Sequence, residues 1–257
     1  MNYVSPRVHI ERLKLEFEIM YQQRTYRSRT SSTDLIGFEV IVKETDLFVL
    51  AETDLQKETT TAVLNYRHQL EDYIAHDPEF LTALVPYPVS ELAPQIVQAM
   101  AFSGEQAKVG PMAAVAGAIA DFVAIDLADK PGDLIIENGG DIYIRTKKPR
   151  RMLVYAGDSP FSEKLGIEIS PEQTPCGVCT SSGTVGHSLS FGKADAITIL
   201  AKTATLADAV ATAVGNLVKE PTDINSGIEF AQRIDGVNGV LIVIQDKLGV
   251  WGQIKLV

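Results

Sequence analysis

The chain is poor in the residues that staple a small protein together: two cysteines, Cys176 and Cys179, four histidines and a single tryptophan in 257 residues. Two thiols cannot form a disulfide scaffold, and in a reducing compartment a CxxC pair reads as thiol or metal chemistry first. Basic charge is also scarce, with 23 Lys and Arg against 33 Asp and Glu and a formal net charge of −10. That balance excludes sequence-independent nucleic-acid binding, which needs a basic stripe to neutralise phosphates. The denser basic groups are Arg24, Arg27 and Arg29, then Lys147, Lys148, Arg150 and Arg151, and both read as solvated faces on strand ends and turns. No stretch approaches ~20 uninterrupted apolar residues, so no membrane-spanning helix is expected. The opening MNYVSPRVHIERLKLEF has no basic, then apolar, then small-residue sequence of a secretory leader, which places the protein in the cytoplasm. Internal repeats and low-complexity tracts are absent as well.

What is present is a hydrophobic content of 46%, enough to bury a sizeable core. The chain reads as one domain over 1–257, with strands and a helix over 1–100 and a motif-bearing part over 101–257. FEVIVKETDLFVLAE predicts two strands joined at Glu44 to Asp46, and YQQRTYRSR a third before them. Val63, Tyr66, Leu70, Tyr73 and Ile74 fall at helical spacing, so a helix with one buried face runs from Thr59 to His76 and ends at Asp77-Pro78. Pro86, Pro88 and Pro94 mark a loop. From Gln106 to Asp126 the sequence is small, apolar and almost uncharged, which predicts a helix buried on nearly every side. DLIIENGGDIYIR reads as a strand broken at Gly139-Gly140 and resumed, followed by strands in RRMLVYAG, LGIEI and AITILAK. TATLADAVATAVGNLV predicts a second buried helix, and DGVNGVLIVIQDKLGVWG a closing hairpin. Because crossover helices do not separate most of the strands, the class is α+β: a mostly antiparallel sheet packed with two buried helices.

Three stretches are candidates for chemistry. In ENGGD, glycines inside a strand pattern mark either a plain bulge or a close backbone approach, with Asn138 and Asp141 flanking the pair. This is not a GxGxxG fingerprint. TSSGTVGHSLSFGK combines hydroxyls, glycines and His187 in a loop whose N–H groups suit phosphate or pyrophosphate oxygens. His187 is either a structural loop histidine or a ligand contact able to transfer protons. The loop lacks Walker A spacing. In LADAVATAV, Asp208 and Thr212 sit four apart on one helix face among alanine and valine. A carboxylate there is costly to bury unless paired or bound to a cation such as Mg²⁺. The alternative is that Asp208 faces solvent near the helix start and favours its dipole.

Taken in order, the helix start Gly110-Pro111-Met112-Ala113, then ENGGDI, then TSSG followed by His187, then ADAVATA, resemble the motifs of the ApbE family of FAD:protein FMN transferases. The correspondence runs from about Val109 to Asn216, under half the chain. The resemblance implies a T-fold-like α+β domain and a short, leaderless branch of the superfamily. It implies that Asp208, Thr212 and the backbone carbonyl at Ala113 hold Mg²⁺ against the FAD pyrophosphate. Asn138, Gly139, Gly140 and Asp141, with Thr180, Ser181, Ser182, Gly183 and His187, would line the flavin nucleotide site. His187 and Asp208 are the candidates for catalysis. In the family reaction a threonine hydroxyl of a client protein takes FMN from FAD and AMP is released.

Two departures bear on that chemistry. The family's lysine in the GGIAKG-type helix start is replaced by Ala114, and its HxxDPxxG run is shortened to the residues from His187 to Gly192. Two readings follow: a Mg²⁺-dependent transferase, or a flavin-binding component of sulfur metabolism that transfers nothing and acts with partner proteins in sulfide incorporation into homocysteine. A homo-oligomer is left open. Cys176 and Cys179 are outside the family pattern. They read as half a zinc shell, as a loop thiolate of lowered pKa, or as two buried inert side chains.

Overall fold

The computed structural model describes residues 34–183 and 192–257. The strand expected in YQQRTYRSR, the Arg24 to Arg29 group and His187 lie outside the described residues. Strands β1, Ile36–Val42, and β2, Thr45–Ala51, pair antiparallel across a turn in which Lys43 adopts φ +53°. Helix α1, Gln56–His76, buries Thr59, Ala62, Val63, Tyr66 and Leu70 along one face. It stops at Asp77 because Pro78 disfavours helical backbone in the residue before it.

The single helix predicted from Gln106 to Asp126 is in fact two. Helix α2, Gln95–Ala107, ends where Lys108 turns left-handed at φ +61°, a 3₁₀ turn covers Pro111–Ala114, and helix α3 runs Val115–Asp126. Gly110-Pro111 makes the break, since proline fits the first position of a helical turn and cannot donate in the middle of one. The remaining elements are β3, Leu134–Asn138; β4, Asp141–Arg145; β5, Arg150–Leu153; β6, Gly166–Ile169; β7, Cys176–Ser181; and β8, Ala196–Ala201. Helix α4, Ala204–Leu217, helix α5, Ile224–Gln232, and strands β9, Val237–Ile244, β10, Lys247–Gly252, and β11, Lys255–Leu256, complete the chain.

Eight strands form an antiparallel sheet in the order β1-β2-β3-β4-β7-β8-β9-β10, and β11-β6-β5 form a smaller one. This is the expected α+β class with a mostly antiparallel sheet. The two expected buried helices, α3 and α4, lie against the large sheet together with α1, α2 and α5. Strand alternation divides the core: Cys179, Ile197, Ile199, Val240 and Ile242 face the helices, while Cys176, Val178, Leu200, Leu241 and Val243 face the small sheet. Central strands covered on both faces read as continuous apolar runs, which is why AITILA and VLIVI were legible as strands. Among the described residues, no single helix is long and apolar enough to cross a membrane.

Two local expectations are corrected. ENGGD is neither a bulge nor an interrupted strand. It is the tip of a tight hairpin in which Asn138 pairs with Asp141 and Gly139 and Gly140 take φ +71° and +109°. Positive φ at both central residues is the requirement of a type I′ turn, whose twist matches the flanking strands. Thr180 and Ser181 are likewise not loop residues. They end β7, pairing with Thr198 and Ile197.

Candidate functional site

Four segments far apart in sequence meet at the N-terminal end of α3. The Gly117 amide donates to Asp208 Oδ2 at 2.9 Å, across 91 positions of sequence. Asn138 Nδ2 donates to the Ala116 carbonyl at 3.1 Å, and the Thr180 amide donates to the Gly140 carbonyl at 3.1 Å. Thus the turn carrying Ala113, the hairpin tip Asn138 to Asp141, the end of β7 and the face of α4 that bears Asp208 share one place. Thr180 Oγ1 also bonds Thr198 Oγ1 at 2.9 Å, tying the end of β7 to β8.

The approach is closest around Ala204. A Cβ on Gly117 would lie 2.2 Å from the Ala204 carbonyl oxygen, and one on Gly177 would lie 2.3 Å from the Ala204 backbone nitrogen. Both positions therefore admit only glycine, and α4 begins wedged between α3 and β7.

Asp208 is half-buried, and so is Thr212, one turn further along the same helix face. The carboxylate accepts from the amides of Gly117 and Ala116. The alternative that Asp208 faces solvent and favours the dipole of its own helix does not hold, because the dipole it meets is that of α3. Burial, together with the neighbouring Asp141 carboxylate, pushes the Asp208 carboxyl well above the usual range; the two amide bonds act in the opposite direction. A second carboxylate escaped notice in the sequence. Asp121 of α3, 8% exposed, accepts from Ala204 N at 3.0 Å, Thr205 N at 2.8 Å and Thr205 Oγ1 at 2.6 Å. Burial raises its pKa against those three bonds. An aspartate in an apolar helix was the very signal that marked Asp208, and Asp121 carried it equally.

The carboxylate of Asp208 has the Asp141 carboxylate as a neighbour, and the other two groups expected to join it, the Thr212 hydroxyl one turn along the same helix and the Ala113 carbonyl, are also oxygens. Hard oxygen ligands in small number fit Mg²⁺, which keeps waters and takes substrate phosphates for the rest of its shell. No cluster of three or more His, Cys, Asp or Glu suited to a metal occurs among the described residues. A self-sufficient protein cage for a cation is therefore not found there, and a zinc shell around the cysteines is not either.

Cys176 and Cys179 lie in β7, buried, and three apart, so they point to opposite faces and into different clusters. They cannot share a metal or pair with each other. Burial pushes the Cys176 thiol up to about 12 and the Cys179 thiol well above its ordinary value. The expectation of an activated loop thiolate is corrected accordingly, and the reading of two inert side chains describes them.

The basic group at 147–151 divides. Lys147, Lys148 and Arg151 are exposed as expected, but Arg150 has a side chain only 14% exposed and pairs with Asp34 and with the buried Asp133 at 2.6 Å. A buried carboxylate requires such a partner. These residues border a groove of about 320 Å³, lined by Asp34, Glu52, Asp133, Lys147, Lys148 and Arg150, whose charges compensate one another. None of the motif residues lines it.

Comparison with known proteins points to one group. The model of the AbpE bacteria family matches residues 27–244. A UPF0280 protein of Methanocaldococcus jannaschii is 43% identical over 221 residues, covering 84% of this chain and 90% of that one. A UPF0280 protein of Methanothrix thermoacetophila is 43% identical over 197 residues, covering 76% and 82%. Among solved structures, a variant of the flavin transferase ApbE from Vibrio cholerae aligns with a TM-score of 0.58 at 14% identity, covering 85% of this chain and 97% of that one. The apo flavinyl transferase ApbE from Pseudomonas stutzeri aligns at 0.52 and 16%, covering 85% and 94%. At such identities the structural likeness establishes a common fold.

Proposed function

We propose, because the chain belongs to the AbpE bacteria family and has the ApbE fold, that the meeting point of α3, the β3–β4 tip, β7 and α4 binds FAD together with Mg²⁺. The observation that carries this reading is the bond between the Gly117 amide and Asp208, which brings the α3 start and the ADAVATA helix into one site. Asp208, Thr212 and the Ala113 carbonyl would hold the ion. When bound, Mg²⁺ neutralises charge on the diphosphate and steadies the leaving phosphate. The Asn138 to Asp141 tip and the Thr180 to Gly183 segment would form the walls for the flavin nucleotide, and His187, which lies outside the described residues, joins them on the family resemblance alone.

The reaction assigned to this site is transfer of FMN from FAD to a threonine of a client protein. The threonine Oγ bonds to the flavin-side phosphorus, the bond from that phosphorus to the bridging oxygen breaks, and AMP leaves with that oxygen. The hydroxyl proton passes to a base, for which His187 and Asp208 are the candidates. Such chemistry depends chiefly on holding the attacking and leaving oxygens in line.

One observation favours a second reading. Ala114, where the family has a lysine, supplies no cation, and in this reading the site would hold the flavin without transferring it. The protein would then be a flavin-binding component of sulfur metabolism, acting with partners in sulfide incorporation into homocysteine. Incubation with FAD, Mg²⁺ and threonine-containing client proteins separates the two. Release of AMP with flavin fluorescence on the client supports transfer, and FAD binding without AMP release supports the second reading.

A further inference from the structure

The first four amides of α4 all have acceptors, and one residue from another helix supplies two of them. Ala204 N and Thr205 N donate to the Asp121 carboxylate at 3.0 and 2.8 Å. Leu206 N donates to the Thr203 hydroxyl and Ala207 N to the Thr203 carbonyl. A helix start exposed to solvent can leave such amides to water, but Ala204 and Thr205 are buried. Asp121 lies one turn beyond Gly117, and Asp208 one turn beyond Ala204. The bonds from Asp121 to the α4 start and from Asp208 to the α3 start therefore lie on one antiparallel interface. The Gly117 approach to the Ala204 carbonyl, too close for any Cβ, leaves that interface no room to slide.

We propose that Asp121 is the positioning residue for Asp208: by holding the first turn of α4, it fixes the second turn and so keeps the Asp208 carboxylate on the N-terminal amides of α3. The functional meaning of this placement rests on the reading of Asp208 as the metal-facing carboxylate, but the placement itself is tested without ligand. In Asp121→Asn an amide N–H₂ replaces one of two accepting oxygens, so one α4 amide loses its partner while side-chain volume is kept.

The test is amide hydrogen exchange on the full ligand-free chain, comparing Gly117 with the fully buried Ile197 of the interior strand β8, which reports global opening. Asp121→Asn is expected to lower Gly117 protection relative to Ile197 by about tenfold or more, the size of effect for a buried partner removed. Asp208→Ala should lower it similarly. Should Asp121→Asn fail to fold, Thr205→Val, which removes only the 2.6 Å hydroxyl bond to Asp121, carries the test: it should lower Gly117 protection, and Thr205→Ser should restore it. Unchanged Gly117 protection in Asp121→Asn, or in Thr205→Val where that variant decides, overturns the proposal. An FAD titration on the same samples keeps the two claims apart. If the unaltered protein shows no Mg²⁺-dependent FAD binding, the functional reading falls and the exchange result still decides Asp121. Where such binding is seen, Asp121→Asn should need roughly tenfold more Mg²⁺ with Mg²⁺-free FAD affinity unchanged, and its effect should not add to that of Asp208→Asn. Additive effects would count against coupling through Asp208.

Discussion

Asp121 and Asp208 each accept the first free amides of the other's helix: Asp121 on α3 takes Ala204 N and Thr205 N of α4, and Asp208 on α4 takes Gly117 N of α3. One buried and one half-buried carboxylate thus tie together two helices that meet through small residues, Gly117 on α3 and Ala204 on α4. One of the pair also faces the proposed ligand.

The pH dependence of stability follows from the direction of both shifts. A carboxyl whose folded pKa lies above its unfolded value holds its proton more tightly in the folded state. Its favourable contribution is complete below the ordinary Asp pKa of about 3.9 and is lost as pH rises through the folded pKa. Asp121 and Asp208 are both of this kind. Each therefore withdraws stability from the ligand-free protein as pH rises above about 4, so the stability of Asp208→Asn relative to the unaltered protein should improve as pH rises through that window. Calorimetric scans of the two proteins across pH check this, and a difference between them that does not change with pH would contradict it.

Asp133 has the opposite sign. Although burial would raise it, bonds from Arg150, Thr146 and the Lys147 amide hold its carboxyl below the usual range. Its contribution is present above the ordinary Asp pKa and lost as pH falls through the lowered value. Arg150→Met leaves that carboxylate buried without its main partner and is expected to cost roughly 3 kcal/mol in urea unfolding at neutral pH. The deficit should shrink in acid.

Glycines at two places separate space from backbone strain. Gly117→Ala drives a methyl to within 2.2 Å of the Ala204 carbonyl oxygen and should cost roughly 2 to 3 kcal/mol and disturb the Asp208 contact. Gly140→Ala meets nothing nearer than 3.5 Å but sits at φ +109°, so its cost of about 1 to 3 kcal/mol is conformational. Denaturant unfolding gives both values, and only Gly117→Ala should alter amide protection at the start of α3.

Both thiols should be silent in the native state. With burial pushing Cys176 up to about 12 and Cys179 well above its ordinary value, neither should react with a thiol reagent at pH 8 until the protein unfolds. Rapid modification of the native protein would mean that β7 opens readily.

Much of this was legible because the relevant signals were local. Asp208 stood out as a charge among alanines and valines, and the α4 helix that carries it follows from the same run. The turn at Gly139-Gly140 was legible too, since Gly-Gly between apolar runs is a hairpin signal, yet it was read as an interrupted strand, a bulge or a close backbone approach, because the flanking pattern looks continuous. Helix α2 was missed although Ile96, Val97, Met100, Ala101, Gly104 and Ala107 form one buried face, because the exposed Phe102 and the buried Ser103 and Gly104 blur the contrast, and Gly110-Pro111 marks the break that follows. The Asp121 contact spans 83 positions, and no local pattern announces a partner at that distance.

The most direct measurement is the FAD affinity of the unaltered protein and of Asp208→Asn across a Mg²⁺ titration, followed by flavin fluorescence. The unaltered protein should bind FAD at least about tenfold more tightly with saturating Mg²⁺ than without it, a difference of 1.4 kcal/mol, and the variant should show no such gain. Equal Mg²⁺ dependence in the two proteins, or none in either, would contradict the account.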